Sequence, residues 1–298
     1  MLSSLAILGS TSSWHVTEIL NECSNQNISG TVVDWTALGA SSGDQGEHFR
    51  PKNFQQSDAV LVRNMPSGSL EQVISRMDIL ARISEAGKLV LNHPKSLEAA
   101  IDKYLTMTRL LDAGIPVPPT AIVQSHTDLQ SITDEYGGKV VLKPIFGSNG
   151  QGLVQFQANT TQLPPFFLKS GVSVAQKYIA NDGWDVRILI VGSKAYTMKR
   201  IATNGEWRTN ISQGGRAEVF NPPAEWLQLA HSAAHALGVK IAGVDLIRGN
   251  DGSIWVLEVN AIPGWRALQT VTRENISAAI LDLICEYFVE KTNQMAFG

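Results

Sequence analysis

The sequence predicts an α/β protein whose C-terminal part is α+β. Three observations carry that expectation. Over the first third, short apolar runs alternate with helical patterns, as in a small parallel sheet with covered faces. From Ser173 to Ile201, apolar runs are separated by Asn181-Asp182-Gly183 and Gly192-Ser193-Lys194, the pattern of an antiparallel meander. Further on, Ala242 to Arg248 and Ser253 to Asn260 flank a Gly249-Asn250-Asp251-Gly252 turn, which reads as a hairpin.

The 298 residues leave room for two or three domains. An apolar content of 44% and a charged content of 17% fit a soluble globular protein, and no apolar run is long enough to span a membrane. Met1 to Leu8 lacks a basic leader and reads as a first strand. Cys23 and Cys285 lack metal-type spacing and sit in apolar helical patterns. They are expected as buried reduced thiols, and a cytoplasmic location follows. A net charge of −3 argues against a non-specific nucleic-acid binder.

Taken in order, strands are expected at Leu5 to Gly9, Thr31 to Asp34, Ala59 to Arg63 and Leu89 to Leu91, with helices over Trp14 to Cys23 and residues 69–83. Gly9-Ser10-Thr11-Ser12 lacks the G-x-G-x-x-G spacing of a dinucleotide site. Gly39 to Gly46 reads as an exposed polar loop. Asn92-His93-Pro94 marks a boundary, because proline disfavours helix at the residue before it. Ser96 to Ala113 then reads as one helix with Ser96 as N-cap and Gly114 as stop. A strand over Lys139 to Lys143 leads into a glycine-rich loop, Gly147 to Gly152, followed by another strand. That loop is no P-loop, but its glycines let backbone N–H groups approach phosphate. After the meander come a helix over residues 225–237, the hairpin, and a terminal helix over Thr272 to Lys291. His231 and His235 stand at i, i+4 but lack a glutamate base and other ligands, so zinc is not expected.

The hairpin carries the first chemical expectation. If Arg248 pairs with Ser253, Asp245 lies opposite Val256, with Glu258 diagonal to it and Asn260 on the same face. Two carboxylates and an amide oxygen form a hard donor set suited to magnesium and a nucleotide triphosphate.

Seven stretches then occur in an order that resembles the ATP-grasp superfamily, and within it the RimK-like amino-acid ligases. They are Asp102-Lys103 with Gly114 to Pro118; Lys143 with Gly147 to Gly152; Asp185-Val186-Arg187; Met198-Lys199-Arg200; Arg208-Thr209-Asn210 with Gly214-Gly215; Ala242 to Asp245; and Glu258 to Gly264. The resemblance implies an ATP-grasp fold with a Rossmann-like N-terminal domain over 1–94, a central lid over 95–172 and a metal-bearing part over 173–298. It implies that Lys103 and Lys143 contact the nucleotide phosphates, Lys143 near the adenine as well. Gly147, Ser148, Asn149, Gly150 and Gly152 would close over those phosphates. Lys177, Tyr178 and Ile179 would accept adenine, and Asp185 would lie near the ribose. Asp245, Glu258 and Asn260 would hold one or two magnesium ions, with manganese as a substitute. Arg187, Arg200, Arg208 and Asn210 would face the reacting carboxyl and phosphate. The implied reaction makes an acylphosphate and ADP from a carboxylate and ATP, and then an amide and phosphate.

Arg63 to Leu70 with Arg76-Met77 resembles the cofactor-type members, and Pro263 to Gln269 resembles the tetrahydromethanopterin-pathway ligases. Many RimK relatives carry His-Arg-Gly-Gly where this chain has Ser212-Gln213-Gly214-Gly215, which counts against an acidic peptide acceptor. The expectation is therefore a ligase adding L-glutamate to a small carboxylate-bearing acceptor of the tetrahydromethanopterin type, with Arg63, Arg76, Gly214, Gly215 and Trp265 toward the substrate. Trp265 either stacks on a pterin ring or packs at the hairpin exit. The alternatives are ligation to a protein C-terminus, a deazaflavin or an amino-group carrier protein, or a non-catalytic ATP-binding module. No nucleic-acid or membrane partner is expected, and a homo-oligomer is left open.

Overall fold

A computed structural model describes the chain except Gln45, Ser148, Asn149, Thr161, Asn204 and Gly298. The first unit runs β1 (Ser4–Leu8), α1 (Trp14–Asn25), β2 (Ser29–Val33), β3 (Gly39–Gly43), β4 (Gly46–Arg50), α2 (Lys52–Gln56), β5 (Ala59–Val62), α3 (Leu70–Glu85) and β6 (Leu89–Leu91). Four of these strands form a parallel sheet in the order β2-β1-β5-β6. Leu5, Ala6, Ile7 and Leu8 are all buried, as a strand covered on both faces requires. The expected loop at Gly39 to Gly46 is instead the greater part of the β3–β4 hairpin, with Gly39 paired to Arg50 and Gly43 to Gly46. Its Gly-Ala-Ser-Ser-Gly strand is largely exposed, so it carries no hydrophobic alternation to announce it.

The second unit holds α4 (Pro94–Ile101), α5 (Lys103–Asp112), β7 (Thr120–Val123), α6 (His126–Glu135), β8 (Lys139–Lys143), β9 (Val154–Gln157), α7 (Pro165–Ser170) and β10 (Ser173–Lys177). Its strands form an antiparallel sheet in the order β7-β10-β8-β9. The single helix expected over Ser96 to Ala113 is broken at Asp102. That residue is extended (φ −83°, ψ 110°), and its carboxylate accepts from the N–H groups of Tyr104 and Leu105, both at 2.9 Å. Ser96 is not the cap of α4. The His93 side chain takes that place with Pro94 in the first turn, and Ser96 Oγ donates to Gly238 O.

The third unit contains β11 (Trp184–Val191), β12 (Lys194–Ile201), β13 (Arg216–Val219), α8 (Ala224–Ala236), β14 (Ile241–Arg248), β15 (Ile254–Asn260), α9 (Arg266–Thr272) and α10 (Ile276–Phe297). Its antiparallel sheet has the order β13-β12-β11-β14-β15. The expected terminal helix is α10, which starts at Ile276 rather than Thr272 because Arg273 adopts φ +60°, and the short α9 before it was not expected. The expected hairpin register is also corrected. Arg248 pairs with Ile254, a bulge at Leu257 follows, and Asp245 stands directly opposite Glu258.

Asn92 fastens the first unit to this sheet. Its buried amide donates to Ile241 O (2.9 Å) and Ala261 O (2.6 Å), and accepts from the N–H groups of Lys240 (2.8 Å) and Ile241 (3.0 Å).

Candidate active site

Strand alternation and register gather the polar residues of the third sheet onto one face. Asp185 pairs with Arg200 across β11 and β12, Arg187 with Asp245 across β11 and β14, Asp245 with Glu258, and Gly243 with Asn260. Without the bulge at Leu257, the observed pairing next to the turn would put Glu258 on the face opposite Asp245.

The centre of this face is an alternating set of charges. Arg200 donates to both oxygens of Asp185 (2.7 and 2.5 Å) and reaches Asp245 at 2.8 Å. Arg187 closes a bidentate pair with Asp245 through Nε to Oδ1 and Nη2 to Oδ2. Burial alone would raise the Asp245 carboxyl; Arg187 and Arg200 overcome it and hold the group well below the usual carboxylate range. Burial likewise opposes the charge of Arg200, and Asp185 and Asp245 outweigh it. Gly243 makes room for this set: a Cβ there would stand 3.0 Å from Pro263 and 3.4 Å from the Arg187 side chain.

Beside the face lies a cleft of about 570 Å³, open to solvent, between the second and third sheets. Lys103, Lys143, Gly147, Gly150, Asn210 and Glu258 line it together with Met107, Gln176 and Leu257. The break at Asp102 places Lys103 at the first position of α5, where Nζ donates to Gly147 O at 2.7 Å. Lys143 Nζ donates to Gln176 Oε1 at 2.6 Å, and the Gln176 amide donates in turn to Thr120 Oγ1 at 3.1 Å. Burial pushes the Lys143 ammonium down to about 8, against the pull of Glu258, and burial lowers Lys103 as well. Gly150 (φ +69°) and Gly152 (φ +74°) take the left-handed conformation, and a Cβ on Gly150 would fall 2.4 Å from Asn210 Oδ1. The sites expected at Ser148 and Asn149 lie outside the described residues. Lys177 ends β10, Tyr178 and Ile179 follow it toward β11, and the three are not among the residues lining the cleft; Lys139 Nζ sits 3.9 Å over the Tyr178 ring.

Asp245, Glu258 and Asn260 converge as the hairpin implied. Glu258 accepts no hydrogen bond and forms no ion pair among the described residues. Asn260 Oδ1 accepts from Ile262 N at 2.8 Å. The three guanidinium contacts to Asp245 leave part of its acceptor capacity, which is about four lone-pair directions for a carboxylate. Two carboxylates and one amide oxygen fit a hard divalent cation.

Several expectations are corrected. Asp185 cannot face a ribose: it is 4% exposed and its oxygens are taken by Arg200 and by the Thr209 hydroxyl at 2.6 Å. Arg200, 3% exposed, is spent on the two aspartates rather than on a substrate carboxyl. Trp265 is fully buried and packs between His15 (4.6 Å between rings) and Arg63 (4.4 Å to its centroid), so it offers no face to a pterin. Arg63 is buried with it and donates to Pro263 O at 2.7 Å. Arg76 donates to Pro66 O at 2.7 Å and lies 5.9 Å from the Trp35 ring. Gly215 is needed for fit: a Cβ would sit 2.2 Å from Thr209 O. Gly214 (φ +92°) accepts through its carbonyl from Thr203 Oγ1 at 2.6 Å. Arg208 is held by Glu206 at 2.7 Å. Gln176 and Thr209 were missed by sequence reasoning. A buried polar residue inside the apolar run Ser173–Lys177 was the available signal for Gln176.

Residues 100–284 match the RimK-like ATP-grasp domain family. The chain belongs to the RimK-like ATP-grasp family. Among curated relatives it is 34% identical over 207 residues to the tetrahydromethanopterin:alpha-L-glutamate ligase of Methanosarcina acetivorans, a match spanning 64% of each chain. It is 31% identical over 243 residues to the probable alpha-L-glutamate ligase of Methanococcoides burtonii, covering 80% of this chain and 79% of that one. The ATP-grasp ligase PsnB, complexed with a minimal precursor, superposes with a TM-score of 0.75 at 21% identity over 98% of this chain and all of that one. PsnB with a phosphomimetic variant of that precursor, Mg and ADP superposes at 0.72, with 21% identity, over 97% of this chain and 99% of that one. The fold is therefore that of an ATP-grasp ligase, and among the described residues no helix is long and apolar enough to cross a membrane.

Proposed function

We propose that this RimK-like ATP-grasp protein is an ATP- and Mg2+-dependent carboxylate–amine ligase that adds L-glutamate to a small carboxylate-bearing acceptor of the tetrahydromethanopterin type. One observation carries the ligase chemistry. Glu258, free of protein partners among the described residues, stands opposite an ionised Asp245 and shares a cleft with Lys103 and Lys143. A triphosphate bridges such a set, since lysines take its oxygens on one side and carboxylates hold its cation on the other.

Asp245, Glu258 and Asn260 would hold the magnesium, which supplies charge neutralisation at the transferred phosphoryl group. Lys103 and Lys143 bind the phosphates, and the 147–152 loop covers them and excludes water. Arg187, whose Nη1 is not taken by Asp245, orients the acceptor carboxylate, one oxygen of which attacks the γ-phosphorus as ADP leaves. The amine nitrogen then attacks the acyl carbon of the acylphosphate, and phosphate departs with the proton that the nitrogen loses, so a C–N bond replaces the C–O bond. Arg208 and Asn210, on the loop beside the cleft, face the phosphate that leaves. The choice of glutamate is supported by the similarity to both glutamate ligases, and that of a pterin acceptor by the similarity to the Methanosarcina acetivorans one.

The test is a mass-spectrometric screen of amino acids against pterin, deazaflavin and peptide acceptors with ATP and Mg2+. Glutamyl addition to the pterin acceptor, with sustained ADP turnover requiring all three substrates, is the expected result. Addition to peptide alone would remove the pterin assignment. Glu258→Gln is expected to lower kcat by about a hundredfold or more while the chain stays folded; an unchanged rate would remove the metal assignment.

A further inference from the structure

We propose that Thr209 is a positioning residue that couples the loop carrying Arg208 and Asn210 to the carboxylate of Asp245. The inference rests on the reading of Asp245 and Glu258 as the nucleotide's cation site.

The coupling runs through contacts that leave no room for solvent. Thr209 is 9% exposed, and its hydroxyl donates to Asp185 Oδ2 at 2.6 Å. The same Asp185 oxygen accepts from Arg200 Nη2 at 2.5 Å, and that Nη2 reaches Asp245 Oδ2 at 2.8 Å. One guanidinium nitrogen is thus shared between the aspartate that anchors the loop and the aspartate that faces the cation site. Asp185 is too deeply buried to meet a substrate, and among the described residues its carboxylate serves Arg200 and Thr209.

Among the described residues, 205–210 have few other ties to the sheet. Over residues 205–210, the remaining hydrogen bonds among the described residues stay local. Glu206 N donates to Thr203 O, Glu206 accepts from Trp207 N and from Arg208, and Asn210 O accepts from Gln213 N and Gly215 N. Thr209 sits between the two side chains expected to face the reacting groups, so fixing its hydroxyl fixes both of them. On the cleft side, the close approach of Gly150 to Asn210 brings the phosphate loop against the same segment.

A cation on Asp245 competes with Arg200 for the Oδ2 lone pairs. The guanidinium then closes on Asp185 alone, and this tighter bidentate pair fixes the carboxylate that anchors Thr209. Cation binding orders the loop, and by linkage an ordered loop favours the cation.

Hydrogen exchange on the full chain reads this coupling without turnover. In the wild type, residues 205–215 are expected to exchange about tenfold more slowly with ADP plus Mg2+ than with ADP plus EDTA, the effect of one charge-assisted hydrogen bond. Thr209→Ser keeps the hydroxyl and should keep that difference; Thr209→Val keeps the shape and should abolish it. A valine variant with wild-type protection, or a serine variant without it, overturns the proposal. If the valine variant does not fold, the wild-type comparison still decides: a loop indifferent to Mg2+ while Mg·ADP binds overturns the coupling alone. Failure of the wild type to bind Mg·ADP at all overturns the cation site as well.

Discussion

Lys143 meets two opposed demands. In the proposed function its ammonium must be charged to bind phosphate, yet burial brings its pKa down to about 8, below the ordinary lysine value of 10.5. In the nucleotide-free protein the unfolded chain therefore holds a proton between pH 8 and 10.5 that the folded chain has lost, so this lysine makes stability rise with pH across that window. Nucleotide affinity runs the other way. Binding must restore the proton, and affinity should fall by up to about tenfold per pH unit above pH 8, with proton uptake measurable by titration calorimetry in buffers of different ionisation enthalpy. Lys143→Met should bind ATP weakly at every pH and show no proton uptake. Uptake that persists in Lys143→Met would assign the proton to another group. The neighbouring Asp185 and Arg200 teach a related point about reading single residues. The resemblance singled both out, but it did not give their partners. Whether an arginine meets a substrate or a buried aspartate depends on which strands pair, and that is settled across the sheet.

At the scale of elements, the α4–α5 break shows where periodicity misleads. Leu97, Ile101, Leu105 and Thr108 continue one helical stripe, so the sequence reads as a single helix. Asp102 nevertheless leaves the helix to cap α5, and Lys103 N bonds Ile145 O at 3.4 Å, a partner that only the folded protein supplies. The break sets Lys103 at the start of α5, where its Nζ reaches Gly147 O. Asp102→Ala should cost about 1 kcal/mol of stability through the lost cap, and it should also raise the KM for ATP several-fold because Lys103 loses its fixed origin. A melting-temperature drop with an unchanged KM would show that the cap serves stability alone. The hairpin illustrates the opposite case. Its strands, its turn and its three ligand candidates were legible because an alternating polar face and a Gly-Asn-Asp-Gly turn are local signals. The register was not. The expected pairing differed from the observed one, and the bulge at Leu257 restored the shared face by another route. Bulges and exposed Gly/Ser strands such as β3 leave little local trace, since each depends on the partner strand.

For the whole molecule, the question is what holds the first unit against the sheet that bears the site. Three contacts converge on the segment after β15. Asn92 bonds Ala261 O, Arg63 donates to Pro263 O, and His15 Nε2 accepts from Trp265 N at 3.0 Å. That segment begins one residue after Asn260, so loosening it loosens a ligand candidate. His15 gives the junction a pH dependence. Burial, then the charges of Arg63 and Arg266, bring its pKa down from 6.5 to about 4. Between those values the unfolded chain binds a proton that the folded chain refuses, so stability is present above pH 6.5 and is lost as pH falls toward 4. His15→Gln should flatten this acid limb; an identical limb in both proteins would place the titration elsewhere. Asn92 makes a stronger demand, because its four hydrogen bonds join backbone groups that are far apart in sequence. Asn92→Ala removes all four and leaves buried backbone groups without partners, each worth about 1–3 kcal/mol. The loss falls at the seam between units rather than within one core. The expected outcome is therefore a melting temperature lower by about 5–10 °C, together with proteolytic cleavage near residues 92–94 that the wild type resists. Nucleotide-dependent activity should fall with it, because Ala261 follows the last ligand candidate directly. If Asn92→Ala melted like the wild type and resisted protease, the junction would be held by the apolar contacts of α10 against α1 and not by this amide.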